Sequence, residues 1–258
     1  MTPLEDVQLR SWGFSEREVV PGSLLVVVAH SGGVVCAAYE ADSPMPVGFA
    51  FGFPAERDGG RVLHSHMLAV VPEHRGTGLA ERLKRHQKAH ALALGYGVMT
   101  WTMDPLMTLN AAFNLNKLSA RAVAYLPEWY DTRGGLYADL PADRLLVRWD
   151  LTQPDPDGEP AKAAPVAAPL ERRVLEARPG SLEPGEPDLD AVEPVLLVEA
   201  PRHLAVLKAA SLPTALAWRL ATRAALGHYI GQGYAATALV AGGAQRVYYR
   251  LERAEPAA

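Results

Sequence analysis

The 258-residue chain has one cysteine, Cys36, so no internal disulfide can staple it and its core must come from packing alone. It lacks a basic excess: 25 Lys and Arg face 29 acidic residues, and a net charge of -4 leaves no field to hold a polyphosphate backbone. Nucleic acid is therefore excluded as the expected partner. Long hydrophobic runs are also missing, and "LLVVVA" is far too short to cross a bilayer, so no membrane partner is expected. The start "MTPLEDVQLR" carries acidic residues where a secretory leader carries basic ones, which makes a cytoplasmic protein the expectation. What is present suits a globular protein: 49% hydrophobic residues and 21% charged ones, in a chain long enough for one large or two small domains.

Strand-like runs follow one another from Leu24 to Asp150: "SLLVVVAH", "GVVCAAYE", "PVGFAFGFP", "HSHMLAVV", "VMTWTM", "ARAVAYLPEWY" and "LLVRWDL". Helical stretches interrupt them, which predicts a mixed α/β domain over residues 1–151. The segment "TQPDPDGEPAKAAPVAAP" is proline-rich and without apolar periodicity, and residues 152–191 read as a linker. A small C-terminal αβ unit is expected over 192–258. It comprises the strand "PVLLVEAP", a helix with Ser211 as N-cap and Pro213 in its first turn, and the hairpin "ATALVAGGAQRVYYRLE".

The stretch "LHSHMLAVVPEHRGTGLAERLKRH" carries the chemistry. His64 to Val71 reads as a buried strand, and Pro72 ends its ladder because proline has no amide hydrogen. Behind the turn the chain becomes helical, with Leu79, Leu83, Ala91 and Leu94 near one face and Arg82, Lys84, Arg85 and Lys88 mostly off it. A strand thus feeds a glycine loop that opens a helix. There, unpartnered amides and the helix dipole favour an anion, and Gly76 and Gly78 have no side chains to block it. Plain connections also use such turns.

Arg75-Gly76-Thr77-Gly78-Leu79-Ala80 fits R-x-x-G-x-A and follows "LAVVPEH". This resembles the acyl-CoA-binding signature of the GCN5-related N-acetyltransferase (GNAT) superfamily, over roughly Leu24 to Leu151. The resemblance implies an α/β fold of the α+β type, with a central mixed, splayed sheet flanked by helices. It also implies acetyl-CoA or another acyl-CoA as co-substrate. In this pattern Leu68, Ala69 and Val70 pair with the pantetheine arm, and the amides of Arg75, Gly76, Thr77, Gly78, Leu79 and Ala80 cradle the pyrophosphate. "HSHMLAV" is similar to the H-x-H strand of arylalkylamine N-acetyltransferases. The run from "WTMDPLMTLN" onward, with "AWRLATR" near the end, resembles a little-characterised branch of the superfamily in which a second αβ segment follows the transferase core. The order of that segment echoes the second half of the first domain, as a degenerate GNAT half would.

His64 and His66 project from one face of a strand, about 7 Å apart along it. A primary amine arrives largely as an ammonium, and attack on a thioester needs the free base, so imidazoles can take the proton. The alternative is a pair of core histidines bonded to backbone. A metal is not expected there, because two ligands on a strand need a third. Asp104, before Pro105, reads as an N-cap or as an acid holding a cationic acceptor. Asn110, Asn114 and Lys117 form a polar helical stripe, and the resemblance makes Asn110 a CoA contact. Many relatives carry a tyrosine acid where this chain has Leu115. That leaves the acid dispensable, since a CoA thiol is a tolerable leaving group, or gives the role to water, Tyr125 or Tyr130. Arg219 and Arg223 lie one turn apart, either as a solvated pair or as a grip for a substrate carboxylate.

These readings converge on an N-acyltransferase moving an acyl group from acyl-CoA to a small-molecule primary amine, with amino acids among the candidates. No metal is expected, and a homodimer is held open as the assembly. Two rivals stand beside it: a catalytically silent acyl-CoA sensor, and a protein-lysine acetyltransferase that docks its target on the C-terminal unit.

Overall fold

The computed structural model describes residues 2–13, 17–130, 139–155, 171–242 and 246–253. The core of the expected linker, 156–170, and the hairpin turn at 243–245 lie outside the described residues. The chain divides into two compact units, Met1–Trp101 with Trp149–Pro154, and Thr102–Arg148 with Asp155–Ala258. Both are mixed α/β, in line with a GNAT-like core followed by extra C-terminal strands and a helix.

The first unit opens with α1 (Pro3–Trp12), which starts at a Thr2–Glu5 capping box and stops at Gly13 in the left-handed region, φ 66°. Then comes α2 (Gly22–His30). The run "SLLVVVAH" is thus a helix and not the expected strand. Its β-branched residues favour a strand, but Leu25 and Val28, one turn apart, bury against Val7, Phe49 and Phe51, and this packing outweighs propensity. Strands β1 (Val34–Tyr39), β2 (Pro46–Arg57), β3 (Gly60–Val70) and β4 (Val98–Met103) lie side by side in that order. The pairs β1–β2 and β2–β3 are antiparallel, whereas β3–β4 is parallel. Between β3 and β4 run a short 3-10 turn, Pro72–His74, and the helix α3 (Leu79–Ala93).

In the second unit, α4 (Thr108–Ala112) runs into a π-helical turn, Phe113–Lys117. Strands β5 (Arg121–Tyr130) and β6 (Ala142–Asp150) follow, then β7 (Glu171–Leu175) and β8 (Val195–Pro201). Helices α5 (Leu204–Ala210) and α6 (Leu212–Gly231) lead to the hairpin β9 (Tyr234–Ala241) and β10 (Arg246–Arg253). The strand order is β6-β5-β9-β10-β8-β7. Ser211 caps α6 as expected, its hydroxyl accepting from the Thr214 amide at 3.3 Å.

Two expected boundaries change. The segment 152–191 holds strand β7, whose Arg173 and Leu175 register in parallel with Leu197 and Val198 of β8, so it is not linker throughout. The C-terminal unit also reaches back to Thr102. Ala122 of β5 pairs with Ala236 of β9, and the Asn116 side chain both donates to the Leu239 carbonyl and accepts from its amide, each at 2.8 Å.

Candidate active site

Strand β3 holds the first part of the site. Phe51 of β2 stands opposite Met67 and Gly52 opposite Ser65, so His66 is the extra residue of a β-bulge. A glycine is needed at 52, since a Cβ there would sit 2.7 Å from the His64 carbonyl oxygen. On its other side β3 registers with β4 at only two pairs, Leu63 with Met99 and His64 with Thr100. From Ser65 to Val70 the two strands have separated. That stretch of β3 therefore has β2 on one side and an open edge on the other, and it includes Leu68, Ala69 and Val70.

His64 and His66 share a face despite the bulge, and both rings pack on Phe53, at 5.3 and 5.8 Å between centroids. They are not equivalent. His64 Nδ1 lies 3.2 Å from the Thr100 hydroxyl, and burial, reinforced by the neighbouring His66, Arg57 and Lys84, pushes its pKa down to about 4. His66 keeps an exposed edge, and the desolvation of its ring against Phe51 and Phe53 lowers its pKa below the usual imidazole value.

The loop after β3 has the expected form. Arg75 is tied down by two bonds from its guanidinium: Nε donates to the Val70 carbonyl at 3.2 Å and Nη2 to the Ser11 carbonyl at 2.5 Å. Its amide donates to the Pro72 carbonyl, which takes Arg75 out of the expected cradle and makes it the brace of the loop. Thr77 adds a second brace, its hydroxyl donating to the His74 carbonyl at 2.7 Å. Gly76 and Gly78 sit at φ 77° and 80°, where an L side chain is strained, and a Cβ on either would meet open space. Among the described residues, the amides of Gly76, Thr77, Gly78, Leu79 and Ala80 donate to no protein acceptor, and they gather where α3 begins.

The other face of β3 is held by a network that the residue pattern did not reveal. Lys84 and Lys88, expected off the packed face of α3, are buried, with 2% and 7% exposure, while Leu94 is exposed. Lys84 Nζ donates to Ser65 Oγ at 3.0 Å, Gln87 Oε1 at 3.1 Å and Met99 Sδ at 3.2 Å, and lies 4.0 Å from the centre of the Trp101 ring. Burial pushes its pKa down to about 7. Lys88 donates to the Gln153 carbonyl at 2.8 Å. Lysines at helical spacing ordinarily mark a solvated face, and here the aromatic pair Trp101 and Trp149, 6.1 Å apart at 90°, joins those acceptors in offsetting the burial.

In the second unit the expected substrate residues take one another as partners. Asp104 does not cap α4, which starts at Thr108. Its Oδ1 accepts from the Leu106 amide at 2.8 Å, closing a turn. Its Oδ2 accepts from Arg219 Nη2 at 2.8 Å, and both side chains are at most 2% exposed. Burial works against the Arg219 charge, and the Asp104 contact outweighs it, leaving the pKa raised. Arg223 is not paired with Arg219 as a grip either. It clasps Asp143 through Nε at 2.8 Å and Nη2 at 2.7 Å. Tyr125 donates to the same carboxylate at 2.7 Å, and burial with that negative charge raises its pKa, which removes it as an acid near neutrality. These residues form internal ion pairs and not a free grip for an acceptor. Asn110 is exposed on α4, its Oδ1 accepting from Asn114 at 3.1 Å, and Leu115 is buried. No helix among the described residues is long and apolar enough to cross a membrane.

The solved structures similar to this chain include an Escherichia coli ribosomal-protein-S18-alanine N-acetyltransferase, 12% identical, covering 61% of this chain and 91% of its own, TM-score 0.46. An aminoglycoside 6'-acetyltransferase type Ii is 18% identical, covering 60% and 90%, TM-score 0.42. A GNAT acetyltransferase from Elizabethkingia anophelis with acetyl-CoA bound is 12% identical, covering 56% and 88%, TM-score 0.41. No curated protein matches the chain. Residues 6–113, which include the β3 strand, the glycine loop and α3, match the model of the acetyltransferase (GNAT) family.

Proposed function

We propose that this chain transfers an acyl group from acyl-CoA directly to the primary amine of a small molecule, with amino acids among the candidates. One observation carries the reading. An open strand edge, Ser65 to Val70, runs straight into five unpartnered amides, Gly76 to Ala80, at the start of a 15-residue helix. The edge suits an extended amide-bearing arm, which adds to it as a strand would. The amides and the helix dipole suit a pyrophosphate, and the open space over Gly76 and Gly78 leaves room for it. Acyl-CoA has both parts and supplies an activated thioester.

The chain's own residues then have defined tasks. Leu68, Ala69 and Val70 offer backbone to the arm, and the bulge at His66 turns its part of the strand out of the ladder, where an amide can polarise a carbonyl. His66, exposed and less perturbed, takes the proton from the incoming ammonium. His64, held neutral and anchored on Thr100, positions that strand and lets His66 take up a proton without a like charge beside it. The sequence-based expectation of a shared base thus becomes a division of labour. A thiol with pKa near about 8.5 leaves without an enzyme acid, consistent with Leu115 at the usual tyrosine position.

The test is thiol release over a matrix of acyl-CoA thioesters and amines, with product masses. Acylated small amines support the proposal. CoA binding without turnover would replace it with a sensor, and acylation of lysine peptides alone would replace it with a protein acetyltransferase.

A further inference from the structure

On the back of the same unit, α3 carries His86 and His90 one turn apart, facing Cys36 of β1. We propose that Cys36 Sγ and one ring nitrogen from each of His86 and His90 form a site for a thiophilic transition metal, Zn²⁺ in the first instance. The three donor atoms lie within 4.8 Å of one another. A tetrahedral zinc spaces nitrogen and sulfur donors about 3.3–3.6 Å apart, so small side-chain rotations close the site without moving the backbone.

Three features support a ligand set here. The helical i, i+4 spacing stacks the two imidazoles on one face, with ring centres 4.5 Å apart at 64°. His90 Nδ1 lies 3.2 Å from the His86 carbonyl oxygen. That oxygen can only accept, so Nδ1 carries the ring hydrogen and Nε2 keeps its lone pair, the outer-shell arrangement that orients ligating histidines. Cys36 is buried while both histidines are exposed, so the thiol is shielded from competing reagents and the ion keeps a solvent-facing fourth position. The set of one thiolate and two imidazoles selects zinc or cobalt over calcium or magnesium. On binding, the Cys36 thiol gives its proton to buffer, a sulfur–metal bond forms, and no electrons are transferred. The ion would tie β1 to the helix whose first turn is the proposed phosphate seat. The sequence-based expectation of no metal covered the whole chain; this proposal departs from it, at a site separate from His64 and His66.

The experiment is a Co²⁺ titration of the full chain without a histidine tag. Cys36 is the sole cysteine, so a sulfur-to-cobalt charge-transfer band in the near ultraviolet reports on it alone. The expected result is a band that saturates at one Co²⁺ per chain and is bleached by Zn²⁺. It should be lost in Cys36→Ala and weakened at least about tenfold in apparent affinity in His86→Ala and His90→Ala. Both histidines are exposed on a helix, so their alanine variants keep the fold, checked by far-ultraviolet circular dichroism. Absence of the band with Co²⁺ in excess, or a band of unchanged affinity in the two histidine variants, overturns the proposal.

Discussion

Replacing His64 by Asn should make the protein more resistant to acid. His64 is half-buried beside His66 and Phe53, and its pKa is pushed down from 6.5 to about 4. The sign follows from proton uptake. Between those values the unfolded chain binds a proton that the folded chain refuses, so stability falls as pH drops from about 6.5 toward 4 and is fully present above that window. The full shift corresponds to about 2 kcal/mol lost between pH 7 and pH 5. Partial solvent access to the ring reduces this to about 1 kcal/mol. Asn at 64 keeps a hydrogen-bonding partner for Thr100 and does not titrate. Urea unfolding of both proteins at pH 7, 6 and 5 supplies the assay, read as the difference between them, because the carboxylates common to both then cancel. The gap between variant and parent should widen by about 1–2 kcal/mol in favour of the variant on going from pH 7 to 5. A constant gap across that range would refute the reasoning and mean that His64 is solvated well enough to charge in the folded state.

His66→Ala should lower turnover about a hundredfold or more at neutral pH while leaving acyl-CoA affinity intact. Steady-state kinetics with amines of different basicity check this, because a less basic amine should be hurt less. Gly78→Val should cost about 1–2 kcal/mol in stability from its left-handed backbone and abolish measurable CoA binding by calorimetry. Unchanged affinity in the folded variant would remove the loop from the CoA site. Asp104→Asn should destabilise the protein by about 3–5 kcal/mol, read by chemical unfolding, because it leaves the Arg219 charge buried with its Nε and Nη1 already unpartnered.

Much of β3, its loop and α3 was legible because each boundary has a local cause. Pro72 ends the ladder, Gly76 and Gly78 accept positive φ, and the helix begins where apolar periodicity returns. Tertiary context hid the rest. "SLLVVVAH" looks like a strand residue by residue, and only the pocket made by Val7, Phe49 and Phe51 turns it into α2. Asp104 and Arg219 are 115 positions apart, and no spacing rule joins them. The same holds for Cys36 with His86 and His90. The i, i+4 histidines are visible in "HQKAH", but the thiol that completes the set comes from a strand about fifty residues earlier.

The two faces of β3 help to explain why a lysine is buried behind a candidate catalytic strand. One face carries the histidine rings on Phe53, and the other presents the Ser65 hydroxyl to Lys84 and Gln87. Because side chains alternate, a one-residue slip of β3 against its neighbours would drive imidazoles toward the Lys84 ammonium and put Ser65 among the phenylalanines. An all-apolar α3 face would tolerate that slip, since any of the side chains could pack on it. Lys84 has Ser65, Gln87, Met99 and the Trp101 ring as its contacts, none of them an acid, so its burial adds little stability. What the network gains is register. It holds the bulge at His66, and through it the open edge from Ser65 to Val70, in line with the amides that begin α3.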